Sequence, residues 1–134
     1  MPMPNPNEIS WLKRKLDILR EILHLQTIVQ KLTMEKMVRE TATRHGVDVE
    51  MLVAVIKAES GMNPNAVTRN KNGTTDFGLC QFNDYWYRDL ITPSVALHDP
   101  QAAVDLMCTM WRQGRQSDWI AYRNKSYLKF MPTR

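Results

Sequence analysis

Two acids in this chain are placed to do chemistry together: Glu59, and Asp76 seventeen residues later, with an Asn72-Gly73 pair between them. A pair of carboxylates facing each other across a sugar bond is what glycoside cleavage requires. Glu59 follows the run VEMLVAVIKA, which puts Leu52, Val55 and Ile56 seven, four and three positions before it. On a helix those residues form one apolar stripe beneath Glu59, while Lys57 falls on another side. Gly61 and Pro64 stop the helix just beyond. A carboxyl there is partly desolvated and close to the negative end of the helix dipole, and both effects favour its protonated form, the form a proton donor needs. The same position also suits a glutamate that faces water or meets a basic side chain. Val67 to Phe77 reads as a hairpin turned by Asn-Gly, with Asp76 on the returning strand. Asp76 equally suits an Asx-type turn stabiliser.

The order of short motifs extends this reading. Glu-Ser at 59–60, Asn-Pro-Asn-Ala at 63–66, Asn-Gly-Thr-Thr-Asp-Phe-Gly-Leu-Cys-Gln at 72–81 and Phe-Asn at 82–83 resemble the lysozyme-like superfamily. The segment from Glu40 to Val67 resembles the start of a soluble lytic transglycosylase domain. Glu59 to Tyr87 is similar to the active-site stretch of animal-type lysozymes, and Trp119 to Asn124 resembles a motif of both branches. The resemblance covers roughly Met34 to Tyr127 and implies a peptidoglycan-cleaving glycosidase. It implies Glu59 as general acid and Asp76 as the carboxylate that supports or attacks the sugar cation. Ser60, Gln81 and Asn83 would be polar residues around the cleft, and Trp86 and Tyr87 an aromatic pair at its edge. Trp119 would be an indole packed on the acid, with Tyr122 an aromatic close by. Two mechanisms follow from the two branches. A lytic transglycosylase needs Glu59 as acid and then base, and a hydrolytic lysozyme uses Glu59 with Asp76. A non-catalytic glycan-binding module is a third reading. The chain departs from the family patterns at Cys80, where transglycosylases usually carry Met, and at Arg123, which interrupts an Ala-Tyr-Asn motif.

Length and composition set the frame. The 134 residues are enough for one domain with a proper core, and 43 % are hydrophobic. A net charge of +4 suits an acidic polymer such as cell wall. Nucleic acid is not expected, because no basic run is interleaved with aromatics and no zinc spacing appears. His24, His45 and His98 share no metal-ligand spacing with one another or with the cysteines, so neither a metal nor a cofactor is expected. Cys80 and Cys108 cannot form a disulfide framework; they read as two buried free thiols or as one bridge, and the free thiols are the favoured reading. The Pro/Asn-rich lead Met1–Asn7 is not a secretory signal, so an enzyme acting at the wall would need another exit, such as phage-type release.

The fold class expected is mainly α with a small β-hairpin, a lysozyme-like α+β fold, in two parts. Residues 1–32 are a lead and an amphipathic helix, and 33–134 the catalytic domain. From Glu8 to Leu32, one apolar row holds Leu12, Leu16, Leu19 and Leu23, and an adjacent row holds Ile18, Ile22, Leu25, Val29 and Leu32. Such a helix packs on the domain, docks on a partner or another copy as a coiled coil, or, as a third choice, lies on a membrane surface. A second helix is expected from Met34 to His45, capped by Thr33, and a third after Asp48. A short helix is expected over Asp84–Leu90, broken by Thr92-Pro93. Asp99-Pro100 should open a helix to Gln113, and Ser117 or Asp118 should cap a last one through Trp119 and Tyr122.

Overall fold

The computed structural model describes residues 1–133 and is mostly helical, with one small antiparallel sheet. Its residues fall into two compact units, Met1–Leu32 and Thr33–Arg134. Helix α1 runs unbroken from Pro6 to His45, so the expected second helix is the continuation of the first. No Gly or Pro interrupts residues 8–45, and Thr33 alone does not stop a helix whose neighbours propagate it. Asn5 begins α1 with a reciprocal cap: its side chain accepts from the Glu8 N–H at 3.0 Å. Gly46, at φ +69°, ends it, and the Val47 N–H reaches back to the Ala42 carbonyl at 2.9 Å.

In the second unit, α2 spans Val49–Ser60 and is capped as expected: Asp48 accepts from the Met51 N–H at 3.0 Å. Leu52, Val53, Val55 and Ile56 are buried and lead the core. Strands β1 (Val67–Arg69) and β2 (Thr75–Phe77) form the expected hairpin, with Thr68 opposite Asp76. A third strand, β3 (Phe82–Asn83), pairs with β2 so that Asn83 lies opposite Asp76. Two residues are too short a run to announce a strand by periodicity.

Residues 84–90 form successive turns instead of the expected helix. Asn83 Oδ1 accepts from the N–H groups of both Tyr85 and Trp86 at 3.0 Å, a local alternative that competes with helix formation. Thr92-Pro93 does not end an element but begins one. Thr92 caps α3 (Pro93–His98), whose first position is the proline. Helix α4 (Pro100–Arg112) is opened by Asp99 as expected and buries Val104, Met107, Cys108 and Trp111. The last helix, α5 (Ile120–Arg123), has no side-chain cap. Asp118 instead accepts from Arg115 at 2.7 Å, within a 3-10 turn over Gln116–Asp118.

Cys80 and Cys108 are free and buried, and burial pushes both thiols up, Cys108 to about 12. Both are therefore neutral fillers of the core. Among the described residues no helix is long and apolar enough to cross a membrane.

Candidate active site

The sheet, the end of α2 and the segment 115–123 enclose a cleft of about 660 Å³. Glu59 enters it from the last turn of α2, which Gly61 stops with φ +64° and an N–H to the Lys57 carbonyl at 2.9 Å. Its apolar footing is Val55 and Ile56, both fully buried. Glu59 Oε1 accepts from the Ala121 N–H at 2.9 Å. Burial raises the pKa of Glu59. The Ala121 N–H opposes that, the negative charge of Asp76 adds to it, and Arg123 opposes it. The net direction is upward, toward an acid that keeps its proton.

Asp76 stands on the central strand of the sheet and lines the same cleft. Its Oδ1 accepts from Asn83 Nδ2 at 2.9 Å, and Asn83 Nδ2 also donates to Thr74 Oγ1 at 2.8 Å. The strand register explains this: opposed residues on one face of an antiparallel pair bring their side chains together. Asp76 thus faces the cleft, held by a neighbour that donates to it, while Glu59 rests on an apolar floor. The two acids therefore stand in different environments, one on buried aliphatic residues and one bonded to an amide on the sheet.

Gln81 also reaches the cleft, but its amide is tied to the protein. Its Nε2 donates to the carbonyls of Ala66 and Gly78, and its Oε1 accepts from Thr68 at 2.7 Å. Gln81 sits at φ +54°, a left-handed conformation that side chains seldom adopt, and those three bonds hold it there. Gly78, at φ +81°, brings the loop against α3. A Cβ at that position would lie 1.9 Å from the Ala96 carbonyl oxygen. That close approach fixes the loop behind the sheet.

The aromatics divide by exposure. Trp86, 69 % exposed, stands at the cleft edge. Tyr87 is half-buried and donates to Asp118 Oδ2 at 3.3 Å. Burial first, and then the adjacent Asp118, push its phenol up to about 12. Trp119 is buried, stacks on Tyr87 with ring centroids 6.3 Å apart, and donates from Nε1 to the Cys80 carbonyl at 2.8 Å.

Of the residues singled out from the sequence, Glu59, Asp76, Gln81, Asn83, Trp86, Tyr87 and Trp119 converge on the cleft. Ser60 and Tyr122 do not line it. Ser60 Oγ donates back to the Ile56 carbonyl at 3.2 Å, and Tyr122 stacks on Tyr127. Sequence reasoning missed the Ala121 N–H, a main-chain group with no side-chain signal, and the cations Lys71, Arg115 and Arg123 along the cleft. Lys71 was within reach, since it occupies the turn that Asn72-Gly73 announces. Among the described residues, no group of three or more His, Cys, Asp or Glu is gathered where a metal ion would be held.

A family model described as a lysozyme like domain matches residues 37–120. The chain belongs to the lysozyme-like domain family. Invasion protein IagB of Salmonella typhimurium is 36 % identical over 62 residues, spanning 43 % of this chain and 39 % of that protein. Protein IpgF of Shigella flexneri is 40 % identical over 42 residues, 31 % of this chain and 28 % of its own length. The matches thus span about two fifths or less of these curated relatives. Among solved structures, a calcium binding lysozyme from equine milk superposes with a TM-score of 0.55 at 20 % identity, over 68 % of this chain and 84 % of that one. At that identity the likeness is one of fold, and it extends the lysozyme-like assignment to the arrangement of helices around a small sheet.

Proposed function

We propose that this lysozyme-like domain cleaves the β-1,4 bond between N-acetylmuramic acid and N-acetylglucosamine in peptidoglycan, as a lytic transglycosylase with Glu59 as its acid and base. The observation that carries the reading is the placement of Glu59: on buried aliphatic residues, in a cleft, its carboxyl anchored by the Ala121 N–H and inclined to hold a proton. In the first step Glu59 gives its proton to the glycosidic oxygen as the bond from C1 of muramic acid to that oxygen breaks. The ionised Glu59 then takes the proton of the C6 hydroxyl as O6 bonds to C1. A 1,6-anhydro ring closes, the proton is back on Glu59, and no water is consumed. Trp86 at the cleft edge offers an apolar face for stacking a sugar ring.

A second reading is supported by Asp76. Held in the same cleft by Asn83, it is placed to support or attack the sugar cation while water completes hydrolysis. The two readings separate in one experiment, mass spectrometry of muropeptides released from purified peptidoglycan. Products lighter by one water carry 1,6-anhydro ends and support the transglycosylase. Reducing muramic ends overturn it in favour of the hydrolase. Absence of products from folded protein overturns both and returns the domain to a glycan-binding role.

A further inference from the structure

The helical unit Met1–Leu32 carries a surface that the cleft does not use. Twelve large apolar residues on it, from Ile9 to Leu32, are between 38 % and 63 % exposed. At roughly 50–90 Å² each they present on the order of 600–1,000 Å² of apolar area. Monomeric proteins seldom expose a contiguous apolar patch beyond a few hundred Å², and a stable interface buries about 800 Å² on each partner. The area is therefore of the size that a specific protein partner covers.

The spacing says what kind of partner. Trp11, Ile18, Ile22, Leu25, Val29 and Leu32 alternate in heptad steps, with Lys15 at the remaining position between Trp11 and Ile18. Ile22 and Val29 share one heptad position with Lys15, and Leu25 and Leu32 share the other with Trp11 and Ile18. β-Branched residues at the first position with leucine at the second favour two strands, and a single lysine at the first fixes register. Leu12 and Leu19 lie beside this seam and widen it, while Leu16 and Leu23 fall outside it. The polar side argues against an anionic lipid surface. Lys13, Arg14 and Arg20 are interspersed with Asp17 and Glu21, and Arg20 spends its charge on Asp17 at 3.5 Å. A seam with its own heptad register and a mixed-sign polar face fits another helix of the same register. We infer that residues 8–32 form a coiled coil with the same segment of a second copy of this chain. The inference does not depend on what the cleft cleaves.

The test is the mass of the full chain by sedimentation or light scattering over a dilution series from about 1 to 100 µM, a range in which an association of this kind shows as a concentration-dependent mass. The expected mass is about 31 kDa, twice the 15.6 kDa of the chain, falling on dilution. A mass fixed at 15.6 kDa across the series overturns the inference. The double variant Ile18→Asp/Leu25→Asp should be monomeric throughout, and persistence of the dimer overturns the proposed seam. Lys15→Ile keeps the fold and removes the polar residue from the seam, so the dimer should tighten at least about tenfold. An unchanged dissociation constant overturns the register. A monomeric chain that instead co-sediments with vesicles containing anionic phospholipid overturns the inference in favour of a lipid surface.

Discussion

Replacing Glu59 by Gln should abolish turnover while making the protein more stable at neutral pH. The amide has the shape of the carboxyl, and its oxygen can still accept from the Ala121 N–H, now 2.9 Å from Glu59 Oε1, so the position of the side chain is retained. What is lost is the proton. General acid catalysis contributes about 10²–10⁴-fold, which corresponds to about 3–5 kcal/mol of barrier. A group that must act twice, first as acid and then as base, should lose at least that much. The loss should fall on kcat, with KM little changed, because Glu59→Gln leaves the cleft walls in place. Stability should move the other way. Burial raises the pKa of Glu59 above the ordinary glutamate value, so the folded chain holds this proton at pH values where the unfolded chain has released it. The contribution of Glu59 to stability is therefore most favourable at low pH and declines as pH rises through the raised value. Glu59→Gln removes that decline, and the variant should gain on the wild type as pH is raised from about 4 to 7. The assays are muropeptide release and urea denaturation at both pH values. Activity within tenfold of the wild type would refute the acid assignment. A stability difference that is the same at both pH values would refute the burial argument.

Other substitutions probe separate parts of the site. Asp76→Asn should leave a transglycosylase slowed and a hydrolase almost inactive, as read from initial rates of muropeptide release. Trp86→Ala should raise KM for polymeric substrate while changing stability by less than about 0.5 kcal/mol, since the indole is largely in solvent. Gly78→Ala should destabilise by about 3 kcal/mol or more, because its Cβ would overlap the Ala96 carbonyl and its φ is +81°; a denaturation midpoint close to wild type would contradict the packing. Two tryptophans give a matched comparison. Trp119→Phe leaves the Cys80 carbonyl without its donor and should cost about 1–3 kcal/mol for that bond. Trp111→Phe removes a buried Nε1 that has no hydrogen-bond partner among the described residues, so its loss on the same scale should be smaller.

What could be read from the sequence was local chemistry with a steric or hydrogen-bonding cause. Asp48 and Asp99 announce helix starts through caps and Gly61 a helix end through left-handed backbone, and the structure uses each in that way. Asn72-Gly73 announces the hairpin, and with it the strand that carries Asp76. The failures arise where two local preferences compete or where a partner lies far away in sequence. The run Asp84–Leu90 has helical composition, but Asn83 captures its second and third N–H groups and turns it. Thr92-Pro93 reads as a stop, yet Thr92 accepts from the Val95 N–H and Pro93 takes the first position of α3. Thr33 looks like a cap, yet the helix continues through it. The Ala121 N–H on Glu59 joins residues 62 apart, and no pattern around either one shows it.

Asn83 has a further consequence, for inheritance rather than for folding. One end of its amide accepts from Tyr85 and Trp86, and the other donates to Asp76 and Thr74. The turn that carries the cleft-edge Trp86 and the carboxylate of Asp76 are therefore both positioned by a single codon. Aspartate offers no donor and would set a second negative charge against Asp76, serine is too short to bridge both sides, and glutamine is one methylene too long. Substitution of Asn83 by any of these three breaks at least one side of the bridge, whereas Tyr85 and Trp86 meet Asn83 through backbone N–H groups that any side chain but proline leaves in place.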